Sequence, residues 1–415
     1  MGCAQTPPGR ARHRRRRGAA AAACLSAVIA TSVVTAPATA SGTATPCGPD
    51  RTGAHHSEGV APWNTAYPRP DRPRDAVMIF LSFPDAEPTA DPDRLAADYF
   101  PSTTRFFARA SYGRFTLRPH IHRRWVRMPH SSSSYGIRRD WDAGHRSAYL
   151  RDAVAAADPG VDFSRYDLVY LVADPDAPGV DSDATKVVNL DRPLHADHTS
   201  LPRFVTSFEQ SPPDRNVLAH ETGHVFDLPD LYHRPTDGKG DWDTHVGDWD
   251  LMGSQFGLAP EPFAWHKWRL GWIKDSQVDC AALSPDTVHT LRPVAAPAEP
   301  GEERRTRMVV VRTGPDRALA IEARTRVGND VTACREGVLV YRVDADVTSG
   351  EGPIQVLDGH PGTAACRGSS VYPPLADAPL GAGESLDVPG AGVRVEVAGR
   401  TADGDWQVKV TAPRS

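Results

Sequence analysis

The stretch "HETGHVFDLPDLY", residues 220–232, contains the pattern on which the interpretation of the whole chain rests. His220 and His224 are four positions apart, so on a helix their side chains share one face. Two imidazoles placed in this way can both reach one Zn²⁺ ion at about 2.0–2.1 Å. Glu221 lies between them and is too close in sequence to join the same tetrahedron. Its carboxylate is therefore suited to take a proton from a metal-activated water, as a general base.

A catalytic zinc ion needs a third protein ligand and one open position. Asp230 follows His224 by six residues. A turn stiffened by Pro229 would bring the Asp230 carboxylate back towards the end of the helix. We therefore expect His220, His224 and Asp230 to bind the metal.

The first forty residues differ in composition from the rest of the chain. They combine a basic start, a short apolar stretch rich in Ala and Thr, and an Ala38-Thr39-Ala40 end, which is the layout of a secretory signal peptide. We expect cleavage after Ala40, because the apolar run is too short to favour the alternative of a permanent membrane helix. The protein is then secreted, either free or associated with the cell envelope.

Removal of residues 1–40 changes the charge balance. This segment contains six Arg and no acidic residue, so the remaining chain has 41 basic and 52 acidic residues and a net charge of −11. Such a chain should repel nucleic acid and anionic membrane surfaces. No other apolar run is long enough to span a bilayer. We therefore expect neither nucleic acid nor a membrane span.

Four cysteines remain after residue 40, and an even number in an exported protein suggests two disulfides with three connectivities open. We favour Cys334–Cys366, because both residues lie in one C-terminal region, and this leaves Cys47–Cys280. The setting "TPCGPD" around Cys47 permits another role. A thiolate there would occupy the open zinc position and keep an enzyme latent.

Residues 75–275 alternate between strand and helix patterns. "AVMIFLSF" (76–83) and "YDLVYLVAD" (166–174) are continuous apolar runs that predict buried strands. "STTRFFARASYG" and "HRSAYLRDAVAAAD" (145–158) have helical spacing. The alternation predicts an α/β (α+β) domain over 75–275, preceded by a Pro- and Gly-rich linker or short pro-segment over 41–74.

The pattern changes after about Trp272. Short strand patterns such as "RMVVVRT", "GVLVYRVD" and "WQVKVTA" follow one another between turns rich in Gly, Pro and Asp, and no helical pattern appears. Residues 276–415 are therefore predicted to form an all-β, sandwich-like module. It lacks clustered His, so we expect it to be structural or to help shape substrate access.

Several segments together resemble the immune inhibitor A family of secreted metallopeptidases, within the metzincin group. "AVMIFLSFPD", "FFARASYGRFTL", "YDLVYLVAD", "VGDWDLMGS" and "FAWHKWRLGW" stand in the order that such proteins show. The resemblance covers roughly residues 75–275, and "ALAIEART…GVLVYRVD" more loosely. The histidine helix also resembles that of snapalysins, small actinomycete proteases with the same "HETGH…LPD" sequence motif.

The resemblance implies a metzincin-like zinc peptidase domain and a role for each residue of the site. His220, His224 and Asp230 would bind zinc, and Glu221 would be the general base. Met252 in "WDLMGS" would form the Met-turn, a tight turn whose methionine is the apolar floor beneath the metal.

Three other residues are weaker alternatives for the third metal ligand. His233 and His245 follow the motif in sequence, but most lone histidines are surface residues. Glu261 would be the distant glutamate of a different class of zinc peptidase. The Met-turn pattern argues against that class.

One position departs from the metzincin pattern. The residue three after the second histidine is usually Gly in that group, and here it is Asp227. Gly permits positive φ in a sharp turn, and Asp tolerates the same conformation at some cost. Asp227 is also a rival carboxylate, but we expect the turn to point it away from the metal. Asp227→Gly should then keep zinc and activity, and Asp230→Ala should lose both.

The segment "DGKGDWDTHVGDWD" (237–250) holds five aspartates. Hard oxygen ligands in a Gly-rich loop suit Ca²⁺, although the spacing matches no EF-hand. A Ca²⁺ site is therefore an alternative, and a solvated acidic loop is the favoured interpretation.

Together these features predict a secreted zinc endopeptidase, a monomer that acts on protein or peptide substrates. "PRFVTSF" (202–208), predicted as an edge strand, would pair with an extended substrate along the cleft. The alternative from another class is a non-catalytic secreted binding protein that keeps the fold and uses metal as a staple. The intact HExxH pattern argues against it, because a structural zinc has no need of Glu221. A zinc hydrolase with a non-peptide substrate is a third alternative.

Overall fold

The computed structural model of the protein describes residues 47–49, 60, 63–236, 239–281 and 286–411. The predicted signal peptide, residues 1–40, lies outside these ranges, as do residues 41–46 and 50–59 of the predicted linker. Within the described ranges the chain is a mixed α/β protein with three sheets and five α-helices. No helix in these ranges is both long enough and apolar enough to cross a bilayer.

The first sheet has five strands, which are β1 (Arg74–Ser82), β2 (Leu117–Arg127), β3 (Leu168–Ala173), β4 (Lys186–Ala196) and β5 (Thr199–Ser207). Their order across the sheet is β2-β1-β3-β5-β4. Strands β1, β2, β3 and β5 are parallel, and β4 is antiparallel to β5 at the edge. The apolar runs of β1 and β3 are buried on both faces, as is usual for parallel strands.

The five α-helices are α1 (Pro92–Tyr99), α2 (Ser102–Ala110), α3 (Ala143–Ala157), α4 (Val217–Val225) and α5 (Ala264–Leu270). Alternate residues of β1 enter two different cores, because successive side chains of a strand point to opposite faces. Val77 and Ile79 pack in the core that contains α3. Met78 and Phe80 belong to the core that contains the other four helices. The histidine helix α4 is therefore an interior element, and all of its residues are buried.

The edge strand beside α4 is β4, and the prediction of an edge strand over residues 202–208 is wrong. Those residues belong mostly to β5, which pairs with β3 on one side and β4 on the other. The pattern of β4 is broken in sequence by "DRP", where the register shifts between Asn189 and Leu194. Charged residues, Pro and a bulge are tolerated at a sheet edge, and they hide the strand from a search for alternating apolar residues.

Two further sheets follow in the C-terminal region, as its β-rich sequence predicts. One has the order β11-β10-β9-β8-β6, and the other has the order β12-β13-β14-β7. The strands are β6 (Val278–Cys280), β7 (Asp286–Leu291), β8 (Met308–Arg312), β9 (Arg317–Arg324), β10 (Gly337–Asp344), β11 (Ile354–Val356), β12 (Ser385–Val388), β13 (Val393–Arg400) and β14 (Trp406–Thr411). Neighbouring strands are antiparallel except β6 and β8.

Strands β8, β9 and β10 are buried on both faces. Val309 and Ile321 pack in a core shared with β13 and β14. Met308 and Ala320 point to the other side, into the core that also contains α4 and α5. The sheet that contains β8, β9 and β10 therefore shares a core with the helix that carries the candidate site. The domain boundary predicted near residue 275 stays a prediction.

Both predicted disulfides are present. Cys334 is bonded to Cys366 with Cα atoms 6.0 Å apart, and Cys47 is bonded to Cys280 with Cα atoms 5.6 Å apart. Because its sulfur is bonded to Cys280, Cys47 is not a free thiolate in this structure. Two disulfides fit an oxidising, extracellular environment. Secretion itself stays a prediction.

Candidate metal centre

The two histidines of α4 are oriented by backbone carbonyl groups. Nδ1 of His220 lies 2.9 Å from the carbonyl oxygen of Leu251, and Nδ1 of His224 lies 2.7 Å from that of Leu228. A carbonyl oxygen only accepts hydrogen bonds, so each Nδ1 must carry the proton. The lone pair of each neutral imidazole is then on Nε2, as in histidines that bind metals.

Asp230 faces both of these nitrogens. Its Oδ1 atom is 3.2 Å from Nε2 of His220 and 3.1 Å from Nε2 of His224. The three potential ligand atoms all lie within 4.8 Å of one another. Burial alone raises the pKa of Asp230, but the two imidazoles reverse this shift and hold the pKa well below its usual range. Asp230 therefore presents a carboxylate oxygen to both Nε2 atoms, the positions through which these imidazoles could bind a metal.

Two imidazole nitrogens and one carboxylate oxygen are a ligand set suited to Zn²⁺. In the part of the chain that the structure describes, His220, His224 and Asp230 are the only group of three such side chains placed closely enough to hold a metal ion. Each histidine also has the backbone partner that fixes its tautomer. The residues present thus fit a zinc ion.

The backbone of Asp230 is held by two distant segments. Its amide donates to Oγ of Ser349 over 2.9 Å, and its carbonyl accepts from the amide of Gly350 over 3.1 Å. The next amide, that of Leu231, donates to the carbonyl of Met252 over 2.9 Å. Ser349 and Gly350 belong to the β-rich region, so this region helps to position a candidate metal ligand.

Glu221 is buried beside the two histidines and is not part of the ligand group. Its Oε2 atom accepts a 2.6 Å hydrogen bond from the backbone amide of Val187 on the edge strand β4. Burial raises the pKa of the Glu221 carboxyl, and His220 and His224 counter the rise. The carboxylate is thus held between the histidine helix and the edge strand.

Met252 packs directly against the histidine helix. It is completely buried, and a Cβ atom added to Gly223 would lie 2.6 Å from its sulfur. A residue with a side chain at position 223, between the two histidines, would clash with Met252, so glycine permits the close approach of the Met252 sulfur. The chain turns sharply at this point, because the carbonyl of Asp250 accepts from the amides of Gly253 and Ser254.

Asp250 ties this turn to α5. Its Oδ1 atom accepts from the amide of Met252 over 2.7 Å. Its Oδ2 atom accepts from the amide of Phe263 over 2.7 Å and lies 3.1 Å from Nδ1 of His266. The buried carboxylate of Asp250 therefore fixes the turn that presents the carbonyl of Leu251 to His220.

The favoured interpretation of residues 237–250 as a solvated acidic loop is wrong for Asp248 and Asp250, which are buried. Asp248 accepts hydrogen bonds from the amides of Leu258 and Val371. Asp237 lies outside the described residues. No three aspartates of the described part of the loop come close enough to hold a metal. The Ca²⁺ alternative therefore has no support among them.

Asp227 adopts the left-handed conformation expected of the usual glycine, with φ of 63°. Its carboxylate points away from the ligand group, as predicted. Oδ2 lies 2.8 Å from Nη2 of Arg269, and both side chains are buried. Nη1 of Arg269 also donates to the carbonyl of Asp227 over 3.0 Å. The residue that ends the helix is thus bound to α5.

The three alternative ligands lie outside the ligand group. The rings of His233 and His245 pack edge to face with centroids 4.8 Å apart. Glu261 is fully buried and forms an ion pair with Lys267 of α5. These positions favour Asp230 as the third ligand.

The candidate metal centre opens into a cleft of about 650 Å³, a size typical of ligand sites. Sequence reasoning missed two parts of its lining. Lys186, Val187 and Asn189 of β4 contribute to it, and the broken pattern of this strand gave no signal. Tyr232 also lines the cleft, and its place two residues after Asp230 could have indicated it. Burial raises the pKa of the Tyr232 phenol, and the Asp230 carboxylate adds to the rise.

No protein-family model and no curated protein matches this chain. Two crystal structures of wild-type OgpA from Akkermansia muciniphila, in different crystal forms, show distant similarity. One is 10% identical, with 84% of this chain and 96% of that chain covered and a TM-score of 0.27. The other is 9% identical, with 71% and 93% covered and the same TM-score of 0.27. Similarity at this level is too low to indicate a common fold or function.

Proposed function

We propose that the protein is a secreted zinc-dependent endopeptidase of the metzincin type, similar to the immune inhibitor A family. The observation that carries this proposal is the convergence of His220, His224 and Asp230, with the buried carboxylate of Glu221 beside them in an open cleft. A structural zinc usually takes four protein ligands. Three ligands at a cleft leave a position for water and substrate.

His220, His224 and Asp230 would hold the ion, and zinc would supply a Lewis acid that polarises a carbonyl and lowers the pKa of water. Glu221 has the position of the general base. The amide of Val187 holds one of its oxygens. Its other oxygen is then available to accept a proton from the attacking water and to deliver that proton to the leaving amine. Burial, which raises the pKa of Glu221, brings the carboxyl closer to the pH at which proton transfer is efficient.

The edge strand supports a peptide as substrate. β4 has no partner on its outer side among the described strands, and three of its residues line the cleft. The amide of Val187 faces Glu221 and not β5. An extended chain can add to such an edge through backbone hydrogen bonds. This favours peptides over the non-peptide substrates of the third alternative.

Hydrolysis of casein by the mature protein tests the proposal, with Glu221→Gln and Glu209→Gln as matched variants. Both residues line the cleft and are buried, so each change removes one carboxylate charge at nearly constant shape. We expect wild type and Glu209→Gln to cleave casein and a chelator to stop them. Glu221→Gln should lose about 10²–10⁴-fold in rate and still bind one zinc ion.

Zinc content measured by atomic absorption separates the alternatives. If zinc binds but neither the wild type nor an N-terminally trimmed form cleaves any protein, the peptidase proposal fails. The non-catalytic binding protein is then the better description.

A further inference from the structure

The wall of the cleft near the edge strand carries two cations that form no ion pair with any residue the structure describes. Lys186 is the first residue of β4, and Arg234 follows Tyr232 in the segment after the ligand Asp230. Both line the cleft that contains the metal centre. Among the residues that the structure describes, neither side chain forms an ion pair. Lys186 donates through Nζ to the carbonyl of Arg139 over 2.6 Å, and the Arg234 guanidinium lies over the ring of Trp242.

This arrangement differs from that of other cations nearby. Arg139 lines the same cleft, but it is paired with Asp183 at 2.8 Å. Burial lowers the pKa of Lys186 and Arg146 adds to the shift, while the charge of Glu221 counters it. The predicted mature chain has a net charge of −11, yet this cleft contains two cations that have no ion-pair partner among the described residues.

Trp242 keeps the arginine side chains in place. Arg139 lies 5.3 Å from the centre of its ring, and Arg234 lies 4.8 Å from it. The ring of Tyr232 is 5.4 Å from the same ring. Stacking on aromatic rings orders a guanidinium while leaving its N–H groups free to donate. The donors of Arg234 are thus ordered at the cleft before any ligand arrives.

Lys186 lies close to Glu221, the proposed general base. Lys186 directly precedes Val187, whose amide contacts Glu221. A substrate strand that pairs with β4 would carry its side chains past Lys186 within one or two residues of the bond to be cut. A carboxylate at that place would receive charge-assisted hydrogen bonds.

We propose that Lys186 and Arg234 form a subsite that binds a carboxylate group of the substrate next to the scissile bond. This inference rests on the proposed peptidase function and adds a substrate class to it. The carboxylate is either an acidic side chain or the C-terminal carboxylate of a peptide. The two sources share one chemistry and differ in the peptides that reveal them.

The test uses matched peptides based on a cleavage site mapped in casein by mass spectrometry. In the first pair, the residue next to the scissile bond is Glu in one peptide and Gln in the other. In the second pair, both peptides have Gln at that position and end close to the scissile bond, one in a free C-terminal carboxylate and the other in an amide. For wild-type protein, one pair should show a kcat/KM ratio of about 10 or more in favour of the carboxylate. The ratio should fall towards 1 in Lys186→Gln/Arg234→Gln. It should stay unchanged in Arg192→Gln, which removes an exposed charge from β4 outside the cleft lining.

Binding measurements keep this test independent of turnover. Fluorescently labelled forms of these peptides are titrated into zinc-loaded Glu221→Gln, and Kd is measured by fluorescence anisotropy. If casein is not cut, peptides of random sequence with the same four kinds of group (Glu, Gln, free carboxylate and amide) replace them. A carboxylate preference in Kd that disappears with the two cations supports the subsite even if no bond is cleaved, in which case only the peptidase proposal fails. Equal kcat/KM and Kd within both pairs, or a preference that survives in the double variant, overturns the subsite. Arg234 is exposed, so Arg234→Gln alone serves if the double variant does not fold.

Discussion

The carboxylate of Asp227 lies 2.8 Å from the guanidinium of Arg269, and fewer than one tenth of either side chain is exposed. This ion pair connects the turn that ends α4 with the next helix, α5. Asp227 stands in a left-handed conformation that costs a non-glycine residue about 1–2 kcal/mol. The pair with Arg269 gives a physical reason for an aspartate where the resembling family has glycine.

Asp227→Gly should therefore keep zinc but lose stability. Removing one partner of a buried ion pair costs about 3–5 kcal/mol. Relief of the left-handed backbone strain at position 227 offsets only part of this loss. The sequence predicts that this substitution keeps zinc and activity, and the buried ion pair with Arg269 adds the expectation that stability falls. Urea unfolding and zinc analysis of Asp227→Gly and Asp230→Ala measure the two effects. Asp230→Ala should lose zinc, and equal zinc loss in both variants contradicts the assignment.

A second variant tests the physical reason. In the Asp227→Gly background, Arg269→Met removes the charge that the first change leaves buried without its partner. The double variant should be more stable than Asp227→Gly alone. If it is less stable, the ion pair is not the source of the loss.

Asp250 should control zinc affinity without touching the metal. It accepts from the amide of Met252, and the neighbouring carbonyl of Leu251 accepts from His220. Asp250→Asn replaces an acceptor by a donor in this chain, so the zinc affinity should fall about 10–100-fold, as for other partners of metal-binding histidines. Competition with a chromogenic chelator gives the affinity. Asp248→Asn is the matched control, because it changes a buried loop aspartate bound to other amides. Equal losses in the two variants would show a general effect of the loop.

The sequence predicts those parts of the site that depend on local geometry. One turn of α4 fixes the relative positions of His220, Glu221 and His224. Asp230 lies only a few residues after the end of this helix, so its position also depends on local chain geometry. The contact of Asp230 with Ser349 joins residues 119 positions apart, and nothing local indicates it. The place of Lys186 at the cleft was hidden for a related reason, because its strand is irregular and identified only by pairing with β5.

The same distinction applies to the fold. Continuous apolar runs predict β1 and β3, and short strand patterns between turns rich in Gly, Pro and Asp predict the C-terminal strands, because burial of a strand leaves a local pattern in the sequence. The order of strands across a sheet leaves no such local pattern in the sequence. The prediction that residues 202–208 form the edge strand is therefore wrong, because β4 lies outside β5.

Asp243 should make stability depend on pH. Burial, with the nearby Asp241 adding to it, raises the pKa of Asp243 to about 7. Its value in the unfolded chain is close to 3.8. Between these values the folded protein binds more protons than the unfolded chain, so stability should fall as the pH rises from about 4 to about 7. Asp243→Asn should then be more stable than wild type at pH 8, by about 1–2 kcal/mol after allowance for solvent screening.

Urea unfolding at pH 4.5 and pH 8 measures this difference. At the lower pH the folded wild type carries a neutral Asp243, which resembles asparagine, so the two proteins should differ little. A stability difference of the same size at both pH values would show that the Asp243 charge is not responsible.

Tyr232 should contribute to turnover more than to zinc binding. Its phenol lies in the cleft beside Asp230, with a pKa raised by burial, so it stays protonated and can donate a hydrogen bond to an oxygen that becomes negative during the reaction. Tyr232→Phe should lower kcat about 10²-fold with little change in KM. Kinetics at saturating zinc, with zinc affinity measured separately, distinguish two roles. If the hydroxyl serves only to orient Asp230, affinity for zinc will fall and kcat at saturation will not. If both quantities equal those of the wild type, the hydroxyl has no part in the site. Tyr166→Phe, outside the cleft lining, is the control for loss of a phenol.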